Sequence, residues 1–197
     1  KSVPGRTSLA AFAVASTVTR TTPWSDFTWD YWSTIWELGY MPNDVLGLGP
    51  GVYRIQPFLA RAGGPTQAGL CFNLQQQLGK DQPFAWFGRF GFGGDDVTAG
   101  ASAQVGTGFG MKGPLHYAGL FPSRKNDTAG IGFVWSQPSA SSSTVAHENE
   151  YVLEAGYVLQ LTPTAKLQPD VQVVWNPTYN PGASQAVIFQ IQLDINW

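Results

Sequence analysis

Apolar and polar side chains alternate strictly through residues 189–197 of the predicted strand 186–197, and this alternation constrains the fold more than any other feature of the chain. The positions on one side of the alternation are all apolar, and those between them are all polar. Successive side chains of a β-strand point to opposite faces. The pattern therefore predicts a strand with one face in an apolar medium and the other in water. The apolar set is Phe189, Ile191, Leu193, Ile195 and Trp197, and the polar set is Gln190, Gln192, Asp194 and Asn196.

The same alternation recurs upstream and predicts an all-β fold. No segment is a convincing long helix, and no window approaches the roughly 18 apolar residues that a membrane helix needs. About ten antiparallel strands are predicted from the period-two pattern. They are expected near residues 8–20, 29–40, 51–61, 67–78, 84–93, 102–120, 127–136, 150–161, 167–176 and 186–197.

Prolines interrupt some of these predicted strands. A proline cannot donate a hydrogen bond to a neighbouring strand. Pro57 therefore predicts a bulge or an unpaired position, whereas Pro169 is close enough to a turn to be tolerated. Gly113 and Pro114 lie inside the predicted strand 102–120, where they indicate a bulge or a loop.

A soluble β-sandwich also alternates, with its apolar face turned inward. Composition favours a membrane barrel instead: charged residues make up 12% of the chain, against about 25% in an average soluble domain. The polar faces carry mainly Gln, Asn and Gly rather than Lys and Glu. Aromatic residues gather near the predicted strand ends, as the interfacial girdles of membrane barrels require. They are Trp24, Trp29, Trp36, Tyr40, Trp135, Tyr151, Trp175 and Trp197.

The connections between the predicted strands suggest an orientation. Outer-membrane barrels have short periplasmic turns and longer external loops. If Trp197 ends on the periplasmic side, the segments 41–50, 79–82, 122–126 and 162–165 are periplasmic. The segments 21–28, 62–66, 94–101, 137–149 and 177–185 are then external.

Several blocks of sequence, taken in order, resemble one known family. Residues 36–40 (WELGY) are similar to an E-x-G-Y strand, and residues 51–54 (GVYR) to a G-x-Y-R strand opening. Residues 119–127 (GLFPSRKND) are similar to a G-L-x-P-x-R-x-x-D turn. Residues 154–177 carry E-x-x-Y-x-x-Q-L-T-P, then L-Q-P-D-x-Q, then N-P. This order of motifs resembles the C-terminal portion of the carbohydrate-selective porins of the OprB family.

The resemblance implies a transmembrane antiparallel up-and-down β-barrel in the outer membrane of a Gram-negative-type bacterium. Such porins have sixteen strands and pass small sugars by passive diffusion. Residues 1–197 are expected to form a single barrel domain or the C-terminal part of one. Either upstream strands are missing from this chain, or it is a reduced relative that closes differently. A ten-stranded barrel filled by side chains would be too narrow for an open sugar channel.

Porin selectivity comes from the bore and from the groups that line it. Amide side chains both donate and accept, so they can replace the water around a neutral sugar. For any single polar residue, the alternative to sugar binding is that its side chain is only hydrated by water in the lumen or pairs with a residue on a neighbouring strand. The residues predicted to line the lumen and bind sugar are Glu37, Arg54, Gln56, Gln75, Arg89, Glu154, Asp170 and Gln172.

No enzymatic chemistry is predicted. His116 and His147 lack ligand spacing, so neither a metal site nor a cofactor is expected. The pair Asp95–Asp96 is typical of a solvated turn rather than a calcium site. The expected partners are outer-membrane lipid, small neutral sugars, and the barrel-assembly machinery through the C-terminal strand that ends in Trp197. Self-association into a homo-oligomer is compatible with this class. The net charge of −2 indicates no positively charged surface of the kind that binds nucleic acid.

Two other functions stay open. A structural wall element would act as a scaffold or partner in an outer-membrane assembly, without an open bore. A soluble sugar-binding sandwich would fold without detergent. Conductance in lipid bilayers separates the channel from the wall element, and detergent dependence separates both from the sandwich.

Overall fold

The chain forms one meandering sheet of antiparallel strands. The computed structural model describes residues 6–14, 31–62, 65–79, 82–94, 101–139, 148–178, 180 and 182–195. The strands are β1 (Arg6–Val14), β2 (Tyr31–Met41), β3 (Gly51–Ala62), β4 (Gln67–Gln77), β5 (Phe84–Gly93), β6 (Ala101–Lys112), β7 (Thr128–Pro138), β8 (Glu150–Thr162), β9 (Ala165–Trp175) and β10 (Gln185–Ile195). One short helix, α1 (Pro114–Tyr117), follows β6.

Each strand pairs with the next strand along the chain, so the sheet order is β1 through β10 without a crossover. The predicted all-β, antiparallel, up-and-down architecture is confirmed. In the described part of the chain, β1 pairs only with β2 and β10 only with β9, so the sheet is not closed into a ring. Among the described residues no helix is long and apolar enough to cross a membrane.

The described residues form no hydrophobic core of the kind that a soluble sandwich needs. Among the described residues, Val174 is the only buried hydrophobic side chain, at 8% exposure. Large apolar side chains are exposed instead, including Phe189 at 80% and Ile191 at 74%. A soluble monomer rarely exposes a contiguous apolar surface of this size. The soluble-sandwich alternative is therefore wrong for this sheet.

Strand pairing fixes which side chains share a face. Directly paired residues lie on the same side of an antiparallel sheet, and each strand alternates between sides. We call the outer face the one that carries Ile55, Phe72, Phe90, Val105, Trp135, Tyr151, Trp175 and Val187. We call the opposite side the inner face. The predicted apolar alternation of β10, from Phe189 to Ile195, falls on the outer face.

The connection between β6 and β7 differs from the sequence prediction. The strand expected over 102–120 ends at Lys112, because Gly113 adopts a left-handed conformation (φ 63°) and Pro114 follows it. The connection therefore runs from residue 113 to 127 and contains α1, rather than covering 122–126 alone. We call its end of the sheet end A, which also carries the connections 42–50, 78–83 and 163–164. The opposite end is end B.

Both strand prolines interrupt one ladder and leave the other intact. The pairing of β3 with β4 is continuous through Pro57, whereas the pairing with β2 skips Gln56 and Pro57 and then resumes in the same register. Pro169 behaves alike: its pairing with β10 is continuous, and the pairing with β8 skips Gln168 and Pro169. A missing N–H weakens pairing on one side only. The unpaired position predicted at Pro57 is thus present, without a bulge.

Aromatic side chains of the outer face cluster towards both ends of the sheet. Trp135, Tyr151 and Trp175 form one row of paired residues near end B. Tyr40 and Tyr53 pair near end A. Trp36 lies in the middle of β2 rather than at an end, which corrects the prediction for that residue. Trp24, Trp29 and Trp197, like residues 21–28, lie outside the described residues.

Candidate functional site

The structure places every predicted lumen residue on the inner face. One row of directly paired inner positions runs Arg54, Asn73, Arg89, Gly106, Val134, Val152 and Val174. The alternation along each strand then puts the remaining predicted residues on this side as well. They are Glu37, Gln56, Gln75, Glu154, Asp170 and Gln172. The predicted lumen residues are therefore gathered on one surface, although they fall into separate groups.

The first group is a hydrogen-bonded network across β2, β3 and β4. Gln56 Nε2 donates to Glu37 Oε2 at 2.7 Å, and Asn73 Nδ2 donates to Gln56 Oε1 at 2.8 Å. The Arg54 Nε atom lies 3.6 Å from Glu37 Oε1. Because the side chain of Arg54 is 41% exposed, this ion pair contributes little to stability. Its effect is to neutralise both charges within the inner wall.

Two of the family-like motifs meet in this network. Glu37 belongs to the block WELGY on β2, and Arg54 belongs to the block GVYR on β3. On the outer face of the same strand, the Tyr53 hydroxyl donates to Gln76 Oε1. Gln76 is itself buried, and its Nε2 donates to the Gly49 carbonyl at 3.1 Å. The motif residues thus join β2, β3 and β4 on the inner face, and β3 to β4 on the outer face.

The second group borders a recess of about 770 Å³ on the inner side of β5 to β9. Arg89, Glu154 and Asp170 line it, together with Gln104 and Lys112. Gln172 is paired with Glu154 beside it, while Gln75 is exposed on β4 at the other side. Among the described residues, the side chains of Arg89 and Glu154 have no hydrogen-bond or ion-pair partner. The side chains of Arg89 and Glu154 are therefore available to contact a solute, whereas the Gln104 amide already donates to Ser136 Oγ at 3.0 Å.

Asp170 carries the clearest unfilled hydrogen-bonding capacity in the recess. Its Oδ1 atom is buried and has no partner among the described residues. Its pairing partner on β8 is Gly156, which offers no side chain. A buried polar atom without a partner costs free energy. The Asp170 carboxylate therefore lines the recess with one oxygen that is closed off from solvent and unpaired among the described residues.

Phe87 is an inner-face residue that the sequence analysis missed. Phe84, Trp86, Phe90 and Phe92 lie on the outer face of β5, but Phe87 has the opposite parity and lines the recess beside Arg89. The signal was present in the sequence, because Phe87 is two residues from Arg89, which was assigned to the water-facing side. Phe87 was missed because four other aromatic residues of β5 lie on the outer face, and only its position in the alternation distinguishes it from them.

Replacing Gly108 with alanine is expected to destabilise the sheet by about 1–3 kcal/mol through overpacking. A Cβ atom there would overlap the Ile131 carbonyl oxygen and lie 2.6 Å from Phe87 Cζ. The matched control is Gly110→Ala, whose nearest atom would be the Ala129 carbonyl oxygen at 3.8 Å. Urea unfolding in lipid vesicles checks both variants. Equal stability of the two would contradict the close packing of β6 against β7.

A buried carboxylate holds the β6–β7 connection at end A. Asp127 is 1% exposed, and its Oδ2 accepts a hydrogen bond from the Tyr157 hydroxyl at 2.9 Å. Its Oδ1 accepts one from the Gln160 backbone N–H at 3.0 Å and lies 3.6 Å from Arg124 Nη1. Arg124 also donates to the Gln160 carbonyl at 3.2 Å. The Arg and Asp of the G-L-x-P-x-R-x-x-D block are thus structural residues that tie the turn to β8.

Comparison with known proteins decides the family. The family model for carbohydrate-selective porins of the OprB family matches residues 59–197, which is more than half of the chain. The chain belongs to this family. The resemblance seen in the sequence motifs is therefore confirmed. No curated protein sequence matches the chain.

A solved structure agrees with this assignment at the level of the fold. The structure of Pseudomonas putida OprB at high pH has a TM-score of 0.72 to this chain at 18% sequence identity. The match covers 96% of this chain and 55% of that porin, so the chain spans a little over half of its length. The open sheet of ten strands thus has the fold of part of a porin barrel.

The proteins of the OprB family are carbohydrate-selective porins, which are channels and not enzymes. Among the described residues, no group of three or more His, Cys, Asp or Glu side chains is placed to hold a metal ion. His116 lies at the end of α1, where its Nδ1 is 2.9 Å from the Pro122 carbonyl oxygen. His147, Asp95 and Asp96 lie outside the described residues.

Proposed function

We propose that the inner face of this sheet lines a channel through which small neutral sugars diffuse passively across the outer membrane of a Gram-negative-type bacterium. The observation that carries this proposal is the separation of the two faces. All the predicted polar residues, from Glu37 on β2 to Gln172 on β9, lie on the inner face. The outer face is apolar and lacks a covering layer among the described residues.

The chemistry of the inner face suits a neutral solute. Gln56 shows that an amide can donate and accept at once, since it donates to Glu37 and accepts from Asn73. The same two-way bonding can replace the hydration of a sugar hydroxyl. Acidic and basic groups are mixed along the wall, as in the pair Glu37 and Arg54. Such a wall presents no strong field of one sign that would attract or repel ions.

Conductance in planar bilayers, together with swelling of sugar-loaded liposomes, tests the proposal on the full-length protein. We expect stepwise channel openings, a conductance that glucose lowers reversibly, and swelling rates that fall from monosaccharide to trisaccharide. Liposomes without protein are the control. Absence of channel openings, or openings with no sugar-dependent swelling, would overturn the proposal.

The same proposal includes the partners of the channel. The apolar outer face would contact lipid, and the C-terminal strand that ends in Trp197 would be recognised by the barrel-assembly machinery. Trp197 itself lies outside the described residues. Association of several copies into a homo-oligomer would use part of the outer face. Cross-linking in native membranes measures that association directly.

A structural wall element is the second candidate. In the described part of the chain, β1 and β10 each pair with one neighbour, which is compatible with a wall element and equally with part of a closed channel. Unpaired backbone groups at such edges are costly within a membrane. A partner strand from elsewhere would satisfy them. The bilayer experiment separates the candidates, since a wall element without a bore gives no channel openings.

A further inference from the structure

Two rows of paired residues on the inner face contain glycine between an aromatic or small residue and a carboxylate. In the first row, Gly108 and Gly132 lie between Phe87 on β5 and Glu154 on β8. The neighbouring row places Gly110, Gly130 and Gly156 between Ala85 and Asp170. Because glycine has no side chain, four of these glycines leave the floor of the 770 Å³ recess bare: Gly110, Gly130, Gly132 and Gly156.

The ring of Phe87 lies across this floor. A Cβ atom added at Gly108 would be 2.6 Å from Phe87 Cζ and 2.7 Å from Cε1. One added at Gly132 would be 3.4 Å from the same Cζ. The ring therefore covers the first glycine and reaches the edge of the second. The tip of the ring is thus held against the sheet, and Phe87 as a whole is only partly buried, so part of its ring is open to the inner side.

Carboxylates stand at the far side of the floor. Neighbouring strands are about 4.8 Å apart, so Phe87 and Glu154 are separated by roughly 14 Å at the backbone. The Phe87 ring occupies the first part of this span. The remaining space ends at Glu154, whose side chain has no partner among the described residues, and at Asp170, whose carboxylate also lines the recess.

This arrangement matches the chemistry of a pyranose ring. A pyranose carries C–H bonds on its flat face and hydroxyl groups around its edge. An aromatic ring contacts the flat face, and carboxylate oxygens accept hydrogen bonds from the hydroxyls. We propose that the recess is a binding subsite for a neutral pyranose, which stacks on Phe87 and donates hydroxyl hydrogen bonds to Glu154 and Asp170. The subsite rests on the proposed sugar-channel function.

A purely structural role for Phe87 is the competing explanation, since an aromatic ring over an opposite glycine stabilises a sheet. The chain contains a matched example. Phe58 on β3 covers its paired glycine, Gly69 on β4, on the same inner face. Phe58 does not line the recess. Phe58 is therefore a control with the same packing role but no sugar acceptors across a glycine floor.

The first experiment measures glucose block of the channel conductance in planar bilayers with the full-length protein. Phe87→Leu keeps apolar volume over Gly108 but removes the aromatic face. An aromatic contact contributes about 0.5–1.5 kcal/mol, so the apparent Kd for glucose should rise about twofold to tenfold. Phe87→Tyr, which keeps an aromatic ring, should be blocked by glucose as strongly as the unaltered protein. Phe58→Leu should leave the block unchanged. An unchanged Kd in Phe87→Leu, or an equal loss in both leucine variants, overturns the subsite.

The second experiment fills the floor without touching Phe87. A side chain at Gly110 meets ordinary contacts only, since its nearest atom is the Ala129 carbonyl oxygen at 3.8 Å. Gly110→Val should weaken glucose block at least as much as Phe87→Leu. Gly91→Val is the control, because Gly91 is an inner-face glycine outside the recess whose Cβ would lie 3.7 Å from Cys71 Sγ. Equal glucose block in the two valine variants counts against the subsite.

The two proposals fail in different ways. If the unaltered protein conducts ions and is blocked by glucose but Phe87→Leu behaves identically, the subsite is wrong and the sugar channel stands. If the unaltered protein shows neither conductance nor sugar flux, the channel proposal is wrong and the subsite falls with it.

Discussion

Replacing Val171 with arginine is expected to lower the free energy of unfolding in a lipid bilayer by about 2–4 kcal/mol. Val171 lies in the middle of β9 on the outer face, where it pairs with Ala155 on β8 and with Phe189 on β10. On the proposed orientation of the faces, the new guanidinium would sit among lipid chains near the centre of the bilayer. Hydrocarbon offers it no hydrogen-bond acceptors, which is the source of the cost.

The matched control is Gln172→Arg, at the next residue on the same strand. Gln172 lies on the inner face beside Glu154, so an arginine there meets water and a carboxylate. We expect it to fold with nearly unchanged stability and to alter ion selectivity in bilayers. Urea unfolding in vesicles, followed by tryptophan fluorescence, measures both variants. Equal loss of stability in both, or in neither, would mean that the two faces are not exposed to different media.

Replacing Asp127 with alanine is expected to cost on the order of 3 kcal/mol, because hydrogen bonds to a charged acceptor contribute about 1.5–3 kcal/mol. Its removal leaves the Tyr157 hydroxyl and the Gln160 backbone N–H without their acceptor. The same change removes the ion-pair partner of Arg124. Unfolding in vesicles measures the loss, and cleavage by an added protease in the 113–127 connection should increase alongside it.

Asn126→Ala is the control for this second change. Asn126 is exposed and directly precedes Asp127, so its replacement should alter stability by less than about 0.5 kcal/mol. Asp127→Asn should fall between the two, because the amide keeps one acceptor and loses the charge. A stability for Asp127→Ala equal to that of Asn126→Ala would show that the turn is held by other contacts.

The inner face illustrates how far sequence reasoning reaches. Period-two alternation placed Glu37, Arg54 and Asp170 on the water-facing side, and strand pairing puts all of them on one face. Their role in binding sugar stays a prediction. Phe87 shows where the reasoning stopped: its apolar character argued for the outer face, whereas its parity puts it inside. Which of the two applies depends on the glycines opposite it on β6 and β7, and these are distant in sequence.

The sequence by itself determined the strand pattern and the family of this protein. Alternation is a local property, because each side chain points away from its neighbours, and so the strands could be read without their partners. Only the tertiary structure decided where β6 ends, which acceptors Asp127 holds, and which residues surround the glycine floor. Those features join residues far apart along the chain, and they depend on the register in which each strand meets the next.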